Sequence, residues 1–271
     1  MTTGGPGRRP PARIAACLFD LDGTLIDSEP LKNLAHVQAV HALAGGTLPR
    51  AQEVIAAANN LIGVPTPDTA IDLIKRFGLE RAVSARQQNL GLEAPWQAYA
   101  GLQQELYQHL LDQPGALNRV PFAHAVSMLK RARARHLKTG LATMSFRRDV
   151  QHTLELLGWS SDFDAVVTGD EVSRGKPDPE IYLRLAARLR IEPEECLVLE
   201  DSPSGIGAAL AAGMSCLAVP NELTREAVLS MNGLDPRTIV LDPSVLQEMA
   251  DRMLGYVGNE SGSTNSMESD Q

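Results

Sequence analysis

The amino-acid sequence predicts an α/β protein: a doubly wound parallel sheet with a helical bundle inserted after its first strand. Three observations carry that expectation. Short apolar runs recur at Ile14–Phe19, Lys138–Thr143, Asp164–Thr168, Cys196–Leu199 and Met214–Val219. They lack clear alternation, as do strands buried on both faces of a parallel sheet. Helical stretches at about 121–135, 147–157, 179–190 and 203–212 follow or separate the later runs, which is the rhythm of βα units. Residues 30–113, in contrast, read as helix after helix with no convincing strand.

Taken in order, residues 1–12 are rich in Gly, Pro and Arg and are expected to be a disordered tail. The first apolar run ends at Asp20. Helical patterns then cover about 30–43, 50–62, 68–77 and 93–111, with Leu61, Ile62, Ile71, Leu73, Ile74 and Phe77 spaced as an apolar helical face. From about residue 114 the strand–helix alternation resumes. Gly140, Gly158 and Gly213 each follow a helical stretch and are expected as C-terminal caps with positive φ. Residues 256–271 read as a second disordered tail. The expected organisation is an α/β domain over 13–29 and 114–255 and a helical domain over 30–113.

The composition excludes several classes. A chain of 271 residues is long enough for one core domain and a smaller inserted one. Its 44% apolar and 21% charged residues are ordinary for a globular protein. The formal net charge of −8 disfavours a nucleic-acid partner, because phosphate backbones attract basic surfaces. The one basic run, Lys130–Arg135, reads as a solvated helix face. Cys17, Cys196 and Cys216 have no metal-ligand spacing and do not form an even-numbered disulfide set; within apolar runs they read as small buried hydrophobes. No apolar run approaches the ~18 residues of a membrane span, and no apolar segment with a cleavage site marks a signal peptide. The expected location is cytoplasmic, with no membrane partner, as a monomer or weak homodimer.

The segment Leu18-Phe19-Asp20-Leu21-Asp22-Gly23-Thr24-Leu25 is the most informative. A buried strand delivers two carboxylates, two residues apart, to its C-terminal end, where open α/β sheets bind ligands. Close carboxylates repel, so a cation or a shared proton belongs nearby. Magnesium takes oxygen ligands and pairs one or two carboxylates with a substrate phosphate. The alternative is an Asp-Gly turn capping a helix. Three further strand ends weigh against it. Thr143 ends the second run, followed by Met144 and Ser145, where a hydroxyl and backbone N–H groups would meet phosphate oxygens. Lys176 lies in the Gly/Pro loop Arg174–Pro179 and could neutralise a transferring phosphoryl group. Glu200 and Asp201 end another buried run.

These residues resemble the haloacid dehalogenase-like superfamily, in the branch of β-phosphoglucomutase and small-molecule phosphatases. The resemblance covers about residues 13–220. Its four motifs stand in order as Asp20-Leu21-Asp22-Gly23-Thr24-Leu25, Ala142-Thr143-Met144-Ser145, Lys176-Pro177-Asp178-Pro179 and Glu200-Asp201-Ser202. Ile26-Asp27-Ser28-Glu29-Pro30 extends the first in the manner of sugar-phosphate members. The resemblance implies a Rossmann-like core and a helical cap domain that closes over the substrate. It implies Asp20 as nucleophile and Asp22 as general acid and base. Asp20, Asp22 through its carbonyl, and Asp201 would hold Mg²⁺, with Glu200 beside it. Thr143 and Lys176 would bind the phosphoryl oxygens. Beside the resemblance, Ser145 is expected at the phosphate and Glu29 at the substrate; Arg147 and Arg148 open a helix, where cations oppose the helix dipole, so Arg147 is expected to serve an anionic substrate, the alternative being a solvated pair.

The leading function is therefore a Mg²⁺-dependent phosphatase acting on a small phosphorylated metabolite, a sugar or sugar-alcohol phosphate, through an aspartyl-phosphate. A hexose-phosphate mutase of the β-phosphoglucomutase kind is the enzyme alternative. Mutases carry a cap arginine for the second phosphate; the comparable stretch here is Leu61-Ile62-Gly63-Val64-Pro65-Thr66, with Thr66 in its place. The non-enzyme alternative, a phospho-accepting receiver, is disfavoured by the helical insertion and by Asp22-Gly23-Thr24 after the nucleophile.

Overall fold

A computed structural model describes residues 13–62, 64, 66–116 and 120–255. The expected tails, and Gly63 and Pro65 of the stretch compared with the mutase arginine, lie outside the described residues. In chain order the elements begin with β1 (Ala16–Phe19), α1 (Glu29–Leu43), α2 (Ala51–Asn59), α3 (Thr66–Arg76), α4 (Glu80–Leu90) and α5 (Pro95–Leu111). They continue with α6 (Ala123–Ala134), β2 (Lys138–Ala142), α7 (Arg147–Leu157), β3 (Ala165–Val167), α8 (Glu180–Leu189), β4 (Cys196–Glu200), α9 (Pro203–Ala211) and β5 (Ser215–Ala218). Two further helices close the described chain, α10 (Arg225–Leu229) and α11 (Leu246–Met253). The chain packs as two compact units. One comprises the described parts of Met1–Thr24, Ala123–Met144 and Ser161–Gln271; the other comprises those of Leu25–Phe122 and Ser145–Ser160.

The first unit is built on a five-stranded parallel sheet in the order β3-β2-β1-β4-β5. All five strands coincide with the apolar runs. β1, central in the sheet, is buried along its whole length, as is β4, which is why neither alternates. The sheet order reverses between β1 and β4, the point at which α/β sheets place their ligands. On one side α8 and α9 cover the sheet with Ile181, Tyr182, Leu185, Ile206, Ala208 and Ala209. Gly140 departs from expectation. It lies within β2 rather than capping a helix, and a Cβ there would come within 2.9 Å of Leu18 Cδ2 and of Leu185 Cδ2. The missing side chain lets α8 lie close on β1 and β2. Gly158 and Gly213 do follow helices, with φ of 70° and 78°. The three cysteines are buried and free. The basic run ends α6; Arg131 and Arg135 both pair with Asp251 of α11, and Arg133 with Asp162.

The second unit is helical. Val37, Val40, Val54, Leu73, Ile74, Leu79, Val83 and Tyr99 make its core, drawn from α1 to α5. Ile71 does not join the predicted apolar face; it is exposed, because Leu73 and Ile74 already fill the core side of α3. Helix α4 was not expected. It buries only Val83, so it shows no apolar period, and it forms by packing on α5 between Gly78 and Gly91, which take left-handed φ of 64° and 63°. Helix α7 belongs to this unit. Gln108 of α5 donates from Nε2 to Asp149 Oδ1 at 2.9 Å, and His152 Nε2 lies 2.8 Å from Asp112 Oδ1. No helix among the described residues is long and apolar enough to cross a membrane.

Candidate active site

The site assembles where β1 and β4 end side by side. Phe19 pairs with Leu199, and the Asp20 N–H donates to the Leu199 carbonyl at 3.1 Å, which continues the ladder one residue past β1. That register sets Asp20 beside Glu200, the last residue of β4, with Asp201 next. Oxygens of Asp20, Glu200 and Asp201 all lie within 4.8 Å of one another. All three residues are buried. Three carboxylates at this spacing in a dry site repel strongly.

Among the described residues, Lys176 answers them. The loop before α8 carries Lys176, whose side chain is 5% exposed. Its Nζ donates to Asp20 Oδ1 at 2.7 Å, to Glu200 Oε1 at 2.6 Å and to the Ala142 carbonyl at 3.1 Å. All three ammonium donors are thus engaged. The loop is held from α8: the Glu180 carboxylate accepts from the N–H groups of Ser173 and Arg174 at 3.0–3.1 Å. Burial by itself would favour the neutral amine, but the Asp20 and Glu200 carboxylates outweigh it and hold the Lys176 pKa above its usual value. Asp20 is pushed up to about 7, first by burial, with Glu200 and Asp22 adding to it and Lys176 opposing. Asp201 is raised well above the usual carboxylate range, by burial first and then by Glu200 and Asp20.

Each acid is anchored differently. Asp201 Oδ1 accepts from the Thr24 hydroxyl at 3.1 Å, and Oδ2 from Asn221 Nδ2 at 2.8 Å and the Thr224 hydroxyl at 3.4 Å. Gly23, with φ of 89°, sits against it; a Cβ there would fall 2.5 Å from Asp201 Oδ2. Only glycine meets both conditions. Glu200 Oε2 accepts from the backbone N–H groups of Asp201 and Ser202 at 3.0 and 3.2 Å and from the Ser202 hydroxyl at 3.1 Å. Ser202 in turn caps α9 by accepting from the Gly205 N–H at 3.1 Å. Ser202, not the acid before it, is thus the N-cap of α9.

Of the predicted site residues, Asp20, Lys176, Glu200 and Asp201 meet directly. Thr143 is buried just past β2, and its backbone N–H donates to the Val167 carbonyl at 3.1 Å, so its amide is already engaged within the sheet. Asp22 is half-buried, and its carboxylate stands outside the close trio. Glu29, Ser145 and Arg147 fall in the helical unit. Glu29 opens α1 with its carboxylate 3.3 Å from Lys32 Nζ, Ser145 is half-buried two residues before α7, and Arg147 is its first residue. Sequence reasoning missed Thr24, Tyr182, Asn221 and Thr224. Thr24 lay inside the first motif; Asn221 and Thr224 follow β5, at the same sheet edge as the other strand ends, which was the signal available for them.

The donor set fits a hard divalent cation. Among the described residues, the carboxylates of Asp20, Glu200 and Asp201 are buried with oxygens within 4.8 Å of one another, and Lys176 pairs with only the first two of them. The profile of the haloacid dehalogenase-like hydrolases matches residues 14–213. A phosphorylated carbohydrates phosphatase of Thermotoga maritima is 31% identical over 200 residues, 73% of this chain and 82% of that protein. Hexitol phosphatase B of Escherichia coli K12 is 29% identical over 249 residues, covering 86% and 91%. A crystal structure of β-phosphoglucomutase from Clostridium difficile shares the fold, with a TM-score of 0.64, 23% identity and coverage of 89% and 99%.

Proposed function

The chain belongs to the haloacid dehalogenase-like hydrolases, and from that premise we propose that it is a Mg²⁺-dependent phosphatase hydrolysing a small phosphorylated sugar or sugar alcohol. The observation that carries this is the strand-end cluster. Asp20 is held at 2.7 Å by Lys176 and lies beside Asp201, with Asp22 two residues on. The substrate class is supported by the phosphorylated carbohydrates phosphatase and the hexitol phosphatase among its relatives.

The residues divide the work. Asp20, Asp201 and the Asp22 carbonyl would hold the cation, which supplies charge neutralisation at the phosphoryl oxygens and lowers the repulsion among the acids. Asp20 attacks phosphorus through one carboxylate oxygen, the phosphorus–oxygen bond to the alcohol breaks, and an aspartyl-phosphate forms. Asp22 protonates the departing alkoxide, then takes a proton from the water that cleaves the acyl phosphate and frees Asp20. Lys176 and Thr143 steady the phosphoryl oxygens as charge shifts among them. Lys176 is suited to this because its contact with Asp20 Oδ1 already sets it at the reacting carboxylate.

A panel of phosphorylated metabolites, including hexitol and hexose phosphates, tests the reading by release of free phosphate. The mutase alternative is separated by incubation with β-glucose 1-phosphate and a trace of the bisphosphate. Hydrolysis yields free phosphate; rapid accumulation of glucose 6-phosphate with little free phosphate would overturn the phosphatase.

A further inference from the structure

Glu200 and Asp201 are adjacent in sequence, and both are acids at one strand end. Their surroundings differ. Glu200 accepts five hydrogen bonds: from Lys176 and the Tyr182 hydroxyl on Oε1, and from Asp201 N–H, Ser202 N–H and the Ser202 hydroxyl on Oε2. A carboxylate presents about four lone-pair sites, so none is left to face a cation. Asp201 accepts from three donors, one of them at 3.4 Å.

Tyr182 is the residue that nothing in the mechanism uses. It is fully buried on α8, among apolar side chains of the sheet core. Its hydroxyl reaches out of that core to Glu200 Oε1 at 3.0 Å, and the Lys176 ammonium lies 5.2 Å from its ring centroid. A phenylalanine would fill the same space, so packing does not require the hydroxyl. The ring face and the hydroxyl together bound the lysine on one side and fix its carboxylate partner.

We infer that Tyr182 is a positioning residue that acts through Glu200 to aim Lys176, and that Glu200 therefore serves the lysine and gives no oxygen to the metal. This deepens the phosphatase reading and rests on it. The two neighbouring acids split the site: Asp201 belongs to the cation, Glu200 to the ammonium. Tyr182 touches no reacting atom. Without its hydroxyl, Glu200 Oε1 keeps only the lysine, and the buried carboxylate can turn and draw the ammonium away from Asp20.

The test uses full-length protein, titrated calorimetrically with Mg²⁺ and then, at saturating Mg²⁺, with inorganic phosphate; p-nitrophenyl phosphate reports turnover. Tyr182→Phe and Glu200→Gln are both expected to leave Mg²⁺ affinity within about twofold of wild type. Both are expected to weaken phosphate binding roughly tenfold, the scale of one hydrogen bond to a charged group. In the double variant the Tyr182→Phe loss should vanish, because it acts only through Glu200. Losses that multiply in the double variant would make Tyr182 a packing residue and overturn the inference. A tenfold or larger loss of Mg²⁺ affinity in Glu200→Gln would make Glu200 a ligand and overturn it too. Should Tyr182→Phe fail to fold, that Glu200→Gln comparison still decides the division of the acids. Wild-type protein that binds neither Mg²⁺ nor phosphate would overturn the phosphatase reading itself, and the inference with it.

Discussion

Gly205 lies directly against the carboxylate of Glu200: any side chain built at 205 would overlap Oε1 and Oε2 of that acid. Gly205 sits in the first turn of α9, and its bareness lets Glu200 fold under the helix and take the N–H groups of Asp201 and Ser202. A buried charge is tolerable only when it is paired and hydrogen-bonded. The glycine thus serves the electrostatics of the site rather than a turn.

Gly205→Ala should accordingly destabilise the protein by about 1–3 kcal/mol, the usual cost of overpacking a filled interior, and reduce turnover with it. Gly101→Ala is the control of opposite sign. Gly101 is exposed within α5, and a Cβ there meets nothing within 4 Å. It should stabilise by about 0.5–1 kcal/mol, since alanine gives up less backbone entropy in a helix. Thermal melts of the two variants beside wild type check both signs.

Asp20→Asn should fold as wild type does and retain less than about 1% of activity, as removal of a nucleophile generally does. The amide is nearly isosteric but neither attacks phosphorus nor ligates well. Asp22→Asn should lose about 10²–10⁴-fold, the range of general acid–base catalysis. Steady-state rates with far-ultraviolet circular dichroism measure both; substantial turnover by Asp20→Asn would remove it from the nucleophile's role.

Asp201→Asn should raise the Mg²⁺ concentration needed for half-maximal activity by about tenfold or more, since one ligand charge is lost. Excess chelator should abolish wild-type activity, and Mg²⁺ should raise the melting temperature in proportion to its binding. Full activity in chelator would show that the acidic cluster works without a cation.

His36 gives the helical unit a dependence on pH. Its Nδ1 lies 3.0 Å from the Tyr99 hydroxyl, and its pKa is pushed down to about 4, by burial first and then by the Lys32 charge. The folded pKa is depressed below the unfolded value near 6.5, so between about pH 6.5 and 4 the unfolded chain binds the extra proton. Stability from the neutral imidazole is complete above that window and is lost as pH falls through it, by up to about 3 kcal/mol. Urea midpoints at pH 7 and pH 5 should differ less in His36→Phe than in wild type.

Much of the fold is legible in the chain because its causes are local. A strand buried along its whole length, as β1 and β4 are, shows no polar alternation, and β1 to β5 each stand in the sequence as a short apolar run. Acids at the ends of apolar runs and a lysine in a Gly/Pro loop stand out in the chain, and Asp20, Lys176, Glu200 and Asp201, which the structure brings together, are visible for that reason. Helix α4 is not legible, because with Val83 alone buried it carries no apolar period.

What the sequence by itself determined is the set of strands, the residues at their ends and, through four ordered motifs, the family. What only the tertiary structure decided is which partners those residues keep. Gly140 looks like a helix cap in the chain and proves to be a gap in β2 filled by Leu18 and Leu185 from elsewhere. Helix α7 follows β2 in sequence yet packs with α5, through Asp149 and His152. Glu200 and Asp201 are equivalent as letters, but the register of β4 against β1, the bare Gly205 and the hydroxyl of Tyr182 give them different partners. Apolar periodicity is a property of neighbouring residues, whereas the pairing of a buried charge depends on groups that approach across 18 residues, as Tyr182 and Glu200 do, or 156, as Lys176 and Asp20 do; only the packed chain brings those together.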